Sequence, residues 1–133
     1  MSSYLNIYIV PKKDRTPIEI VSYSSADDIY TAISEVINIP WSGEELQYVD
    51  LSIENINEII DDIKQDINKV DKRIIEYEKH ANGNTDLIED ILSQKEYREG
   101  LDDVLKRIRF LSDIIYDAKA GFSDVEKVIC SIT

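Results

Sequence analysis

The chain has 133 residues, of which 43% are hydrophobic and 32% charged, and its formal net charge is −12 at pH 7. This hydrophobic fraction excludes a disordered chain and, with the length, predicts one domain, 1–133, with its own core. The excess of acidic side chains argues against direct nucleic-acid binding, which needs clustered Lys and Arg to displace counterions.

The single cysteine, Cys130, excludes an internal disulfide, and no cluster of Cys and His residues suits zinc. The N-terminus has neither a long apolar run nor a basic segment before one, which predicts no signal peptide and no membrane span. We therefore expect a cytoplasmic protein, or a virion component if a phage encodes it. A composition rich in Ile, Asn, Asp and Lys is typical of an AT-rich bacterial or phage genome.

Residues 1–51 predict a small three-stranded β-β-α-β unit. Residues 4–10 alternate in the period of a strand, and residues 17–24 predict a second strand that pairs with it as an antiparallel hairpin. The run at 25–28 has the residues of a helix start, and a helix of about three turns should end near Pro40. Residues 46–51 alternate again and predict a third strand.

Two features of this unit are candidate partner contacts. Lys12, Lys13 and Arg15 lie at the tip of the β-hairpin and are the only basic residues among the first fifty. Lysines there also protect a sheet edge from pairing, which is their commoner role. Trp41, the only tryptophan, belongs to a residue type enriched at binding hot spots, but packing over the end of the preceding helix is the commoner explanation and the one we expect.

Residues 52–120 predict two long antiparallel helices that turn at residues 80–86. In the first, apolar residues recur at alternating spacings of three and four, the pattern of a coiled-coil seam. Ser52 is a suitable N-cap and Gly83 a suitable stop. The seam of the second helix is regular only from Tyr97 onward and changes phase across Gln94–Gly100. A glycine inside a helix costs about 1 kcal/mol relative to Ala. We therefore expect a stutter or bend at Gly100.

The last segment, 121–133, predicts a short helix. Gly121 ends the preceding helix, and Ser123 and Glu126 have the spacing of a capping box. The predicted fold is therefore α+β: a three-stranded base, a long helical hairpin resembling a coiled coil, and a C-terminal helix packed on the core.

The helical hairpin carries more apolar surface than two helices can bury between them, so part of it must face the sheet or another molecule. Ile59, Ile63 and Ile67 are the apolar candidates for partner contact. The acidic candidates are Asp61, Asp62, Asp66, Asp102 and Asp103, which we expect to line one flank of the hairpin as a phosphate-like row. Adjacent acidic residues on a helix are also usual on an ordinary solvated surface.

No pattern predicts catalysis. His80, the one histidine, falls in the predicted turn between the long helices, where it would lack the partly dry site and orienting partner that a general base needs. The glycines are too scattered for a phosphate loop, and the ligand spacings of EF-hand and di-iron sites are absent. We expect no catalytic residue, no cofactor and no bound metal.

Two functions fit these features. The first is a non-enzymatic interaction or assembly protein, such as a structural or accessory component of a bacterial or phage particle, whose helical hairpin docks on a protein partner or on copies of itself. The alternative is an acidic inhibitor or immunity-type protein that imitates nucleic acid and blocks a basic partner. Neither involves membrane binding.

Overall fold

The computed structural model describes residues 3–133 and shows an α+β chain with a four-stranded antiparallel sheet and three helices. The elements in chain order are β1 (Tyr4–Pro11), β2 (Ile18–Ser24), α1 (Asp28–Ser34), β3 (Val49–Asp50), α2 (Ile53–Lys79), α3 (Thr85–Ala120) and β4 (Val125–Ile132). The order across the sheet is β2-β1-β4-β3, and every pairing is antiparallel. The predicted α+β class is confirmed, with one strand more than the sequence predicts.

The additional strand is β4, so the predicted C-terminal helix is wrong. This strand lies between β1 and β3, and residues 128–132 of it are buried on both faces. Val128 and Cys130 face the helices, whereas Ile129 and Ser131 face the opposite side, and all four are at most 5% exposed. A strand covered on both sides does not alternate between apolar and polar residues, so its apolar positions also match a helical spacing.

The two long helices form the predicted antiparallel hairpin, with lengths of roughly 40 and 54 Å at ~1.5 Å per residue. Ser52 caps α2, its hydroxyl accepting the Asn55 N–H at 3.2 Å. α3 ends at Gly121, where φ is 78° and a glycine avoids steric strain. α3 continues through Gly100 as one helix without a break. No helix among residues 3–133 is long and apolar enough to cross a membrane.

The elements between β2 and α2 are shorter than predicted. α1 has seven residues and β3 only two. Ile37 and Ile39 are nevertheless buried in the core from a non-helical segment. Further along, Tyr48 packs edge-on against Tyr8 of β1, with ring centroids 5.2 Å apart. An irregular segment that reaches β3, not a longer helix, therefore buries Ile37 and Ile39, while Trp41 and Leu46 stay exposed.

One core joins the sheet, α1 and the facing sides of α2 and α3. Its most deeply buried side chains include Leu5, Ile7, Ile29, Ile33, Ile56, Ile59, Ile108 and Leu111. Much of the apolar surface that the two long helices do not bury against each other therefore contacts the sheet and α1, although Ile75, Leu92 and Phe110 remain exposed. The sheet and α1 are thus the further elements that so wide an apolar surface needs to pack against.

Arg107 of α3 fixes the start of α1. Its guanidinium donates to both carboxylate oxygens of Asp27 at 2.9 and 2.6 Å and lies 5.1 Å from the ring centroid of Tyr23. Asp27 is also the N-cap of α1, because it accepts the Ile29 N–H at 3.2 Å. The hydrogen bond from Arg107 lowers the pKa of Asp27. One carboxylate therefore both starts α1 and holds it against α3.

Replacing Asp27 should separate its two roles. Asp27→Asn keeps a capping oxygen but loses the charge, so we expect a loss of about 1 kcal/mol in the free energy of unfolding. Asp27→Ala also loses the cap and should cost about 2 kcal/mol, measured by urea denaturation at pH 7. Since the folded pKa is lowered, the ionic contribution is present above the unfolded value of about 3.9 and is lost as pH falls through the folded value. Equal stability of Asp27→Asn and wild type at neutral pH would contradict this account.

Cys130 should be unreactive in the folded chain. Its side chain is buried, and burial raises the pKa of the thiol to about 12. At pH 8 we expect a disulfide reagent to label the native chain about 10³-fold more slowly than the chain in denaturant. Because the folded pKa is the higher one, the thiol also contributes stability below about pH 8.5 that is lost as pH rises toward the folded value. Rapid native labelling would show that β4 opens readily.

Candidate functional site

A groove of about 230 Å³ opens between α1, α2 and α3. Its lining is apolar at the base, where the side chains are Ala32, Ile59, Ile63, Leu101 and Val104. Four carboxylates line it as well, Asp28 and Glu35 from α1 and its C-cap and Asp62 and Asp66 from α2. Thr31 and Tyr97 complete the lining, which contains no Lys or Arg. The groove thus combines an apolar base with negative charge.

Helical spacing explains why the acidic and apolar side chains are adjacent. On α2, Asp62 and Asp66 are four residues apart, as are Ile59 and Ile63, so two parallel rows run along the helix. The isoleucine row is buried in the core, whereas the aspartate row is exposed. The edge of the hairpin's apolar seam is therefore the base of the groove.

The four groove carboxylates form no ion pair within residues 3–133. Other acidic residues on the same helices do. Asp71 of α2 pairs with Arg98 at 2.6 Å, and Arg98 also contacts Asp102. Like charges that face one another across a groove repel, so the groove would favour a cationic occupant.

The predicted acidic row is divided between different surfaces. Asp102 pairs with Arg98, and Asp103 lies 3.4 Å from Arg107, so both are partly neutralised. Arg98 also bonds Asp71, which lies five residues after Asp66 and so about 140° further round α2. Only Asp62 and Asp66 of the five predicted acids line the groove; Asp61 is exposed beside it.

Ile59, Ile63 and Ile67 are buried within the chain, with exposures of 0, 4 and 9%. The first two reach the groove only as its base, and the third is not among the groove's lining residues. The structure therefore brings two of the apolar candidates together with two of the acidic ones, at one site.

The candidates from the N-terminal unit lie elsewhere. Lys12, Lys13 and Arg15 are exposed at the β1–β2 turn, and Arg15 forms an ion pair with Glu126 of β4 at 3.1 Å. Trp41 is 61% exposed, so it does not bury itself over α1 as the packing interpretation expects. None of these four residues lines the groove.

The described residues show no arrangement suited to metal binding, because no group of three or more His, Cys, Asp and Glu side chains is placed to hold an ion. The groove acids thus line an opening without converging on one point. His80 is exposed at the end of α2, with Nε2 3.1 Å from Glu76 Oε1. Cys130 is the buried thiol of β4.

Sequence reasoning missed Asp28, Glu35 and Tyr97 as groove residues. The two acids are seven residues apart and so share one side of α1. This spacing is a usable signal for a common face, but only the docking of α1 on α3 brings that face to α2. Tyr97 precedes Leu101 by four residues, a spacing that predicts a place in the hairpin seam, whereas its side chain is 52% exposed at the groove.

Comparisons of the chain with models of known protein families, with curated proteins and with solved structures find no match. The function is therefore inferred from the geometry of the chain itself.

Two isoleucines of α2, one buried and one exposed, provide a matched test of which apolar side chains stabilise the folded chain. Ile63 is 4% exposed and Ile75 is 54% exposed. We expect Ile63→Ala to lower the free energy of unfolding by roughly 2–5 kcal/mol, because it leaves a cavity in the core. Ile75→Ala should change it by less than about 0.5 kcal/mol. Urea denaturation of dilute protein measures both, and a small loss for Ile63→Ala would mean that its side chain is not packed within one chain.

Proposed function

We propose that the protein is a non-enzymatic protein-binding module whose acidic groove receives a basic segment of a protein partner. The observation that carries this proposal is the set of four unpaired carboxylates, Asp28, Glu35, Asp62 and Asp66, around an apolar groove. Arg98 and Arg107 neutralise aspartates at other helix contacts, and the apolar base is what distinguishes the groove from other unpaired acids of the surface. The groove carboxylates can therefore pair with cationic side chains of a partner.

The lining of the groove indicates the chemistry of its occupant. Its base would contact apolar side chains or the methylene stems of Lys and Arg, whose charged heads can then reach carboxylates at the rim. Arg suits carboxylate recognition because its planar guanidinium donates two parallel hydrogen bonds. An amphipathic segment with basic and apolar side chains on the same face matches both requirements.

The charge of the whole chain supports this class of partner. With a net charge of −12, the protein attracts a basic surface over distances of about a Debye length, ~8 Å at physiological ionic strength. Such steering raises the association rate more than it raises affinity. A partner held in this way would have its Lys or Arg side chains occupied, so blocking of a basic partner is one consequence of the proposal.

The assembly function expected from the hairpin seam has weaker support. That function needs Ile63 and Ile67 at an intermolecular contact, and both are used within the chain. The nucleic-acid mimic has weaker support too, since Asp102 and Asp103 contact arginines and do not continue the row of Asp62 and Asp66. Binding in the groove needs neither feature.

The test uses a fluorescent amphipathic peptide of leucine and lysine as the probe, with fluorescence anisotropy as the measurement. We expect wild-type protein to bind it with an affinity that falls steeply as salt rises. Asp62→Asn with Asp66→Asn should weaken binding about tenfold. These side chains are exposed, so the free energy of unfolding should change little.

A matched control removes the same charge outside the groove. Asp61→Asn with Glu89→Gln takes away two exposed carboxylates that form no ion pair in the described chain and do not line the groove. Its affinity for the peptide should stay close to wild type. If both double variants lose affinity equally, binding depends on net charge alone and the groove is not the site. Affinity that does not respond to salt would also reject the proposal.

A further inference from the structure

A second surface lies on α3 and shares no lining residue with the acidic groove. Lys106, Phe110, Asp113 and Asp117 follow one another at spacings of four, three and four residues, which places them on one stripe of the helix. All four are exposed, and Phe110 is 60% exposed although its ring is large and apolar. Arg109, also exposed, precedes Asp113 by one helical turn.

Phe110 also lines an apolar groove of about 270 Å³ between α3 and the sheet. The other lining residues are Ile9, Ile20, Ile114, Asp117, Ser123 and Val125. Ile20 has no cross-strand partner, because β2 bulges where Ile7 pairs with Val21 and Tyr8 with Glu19. The groove thus offers a mostly apolar volume next to the stripe.

The charges of the stripe are arranged with opposite signs at its two ends. Lys106 and Arg109 lie toward the N-terminus of α3, and Asp113 and Asp117 toward its C-terminus. None of the four belongs to an ion pair within residues 3–133. The stripe together with Arg109 is therefore electrically neutral on a chain of net charge −12, which makes it a region where two copies can approach.

We propose that the chain forms a two-fold symmetric dimer in which the α3 helices of two copies pack antiparallel along this stripe. In an antiparallel pair, Lys106 lies opposite the second copy's Asp117, and Arg109 lies opposite the second copy's Asp113. Each pairing fixes where the two-fold axis must cross α3, at the point midway between its two residues. The crossing points for the two pairings differ by half a residue, which is ~0.75 Å along the helix. One register therefore satisfies both pairings, and each forms twice because the interface is self-complementary.

The same register brings Phe110 to the apolar groove. Each Phe110 comes level with residues 112–113 of the second copy, between that copy's Phe110 and Ile114, and both of those residues line the groove. The two rings would thus be buried reciprocally, each in the groove of the other copy. Burial of aromatic side chains supplies most of the affinity in such contacts, while the surrounding charge pairs select orientation. The proposal does not depend on the function of the acidic groove.

The first experiment measures the mass of the full chain in solution by sedimentation equilibrium over about a hundredfold range of protein concentration. Wild type should form a dimer. Phe110→Asp should raise the dissociation constant at least about tenfold. The control is Leu92→Asp, which replaces an exposed apolar residue of the same helix about five turns before Phe110, outside the stripe, and it should remain dimeric. Circular dichroism confirms that each variant is folded.

A second experiment tests the register by charge reversal. Lys106→Asp and Asp117→Lys should each raise the dissociation constant about tenfold, since each places like charges opposite one another twice. The double variant Lys106→Asp/Asp117→Lys should recover the wild-type value. Mixing the two single variants should give a heterodimer tighter than either homodimer, because every pairing across the axis then joins opposite charges.

A monomer at all concentrations overturns the proposal, as does a dimer that survives Phe110→Asp. An assembly larger than two also overturns it, because a two-fold contact closes at two copies. If charge reversal has no effect or the double variant fails to recover, the antiparallel register is wrong. Peptide binding to the acidic groove is read out separately, so failure of either proposal leaves the other result interpretable.

Discussion

The pairing of β4 with β1 is the contact on which the rest of the fold depends. It joins the two ends of the chain, with Leu5 opposite Ile132 and Ile7 opposite Cys130. Without β4, β3 would lose the only strand it pairs with, and β1 and β2 would be an isolated hairpin, which is at best marginally stable in water. Since β4 follows both long helices in the chain, the four-stranded sheet that supports α3 cannot form without residues 125–132. The long helices pack locally, but their wide apolar surface is covered only when this long-range pairing is made.

This division between local and long-range contacts decides how much of the fold can be predicted. Two kinds of signal depend only on residues close together in the sequence: the heptad spacing of α2 and the caps at Ser52 and Gly121. The two helices and their turn are therefore predictable from the sequence. Whether residues 125–132 form a helix or a strand is not predictable in this way. Their apolar residues, Val125, Val128, Ile129 and Ile132, match both a helical stripe and a strand buried on both faces. The choice is made by β1, more than a hundred residues earlier in the chain.

The acidic groove is predictable only in part, for a related reason. Asp62 and Asp66 can be assigned to one side of α2 by their spacing, but the sequence does not show that Asp102 has Arg98 beside it or that Asp103 faces Arg107. The contribution of α1 depends on Asp27, a capping residue that also reaches across to α3. The composition of a charged surface follows from the sequence, whereas its neutralisation depends on how the helices rotate and dock.

The distribution of arginines separates two kinds of carboxylate in this chain. Where helices meet, Arg98 and Arg107 neutralise the aspartates and hold the elements together. At the groove no such residue is present, and the folded chain accepts some repulsion among exposed acids. That repulsion costs little because water and salt screen exposed charges strongly, so it does not threaten the core beneath. The same charges would interact more strongly with a bound partner that excludes water from the apolar base, since screening is weaker there. In the proposed complex, hydrogen bonds from cationic side chains of the partner would offset the cost of removing these acids from water.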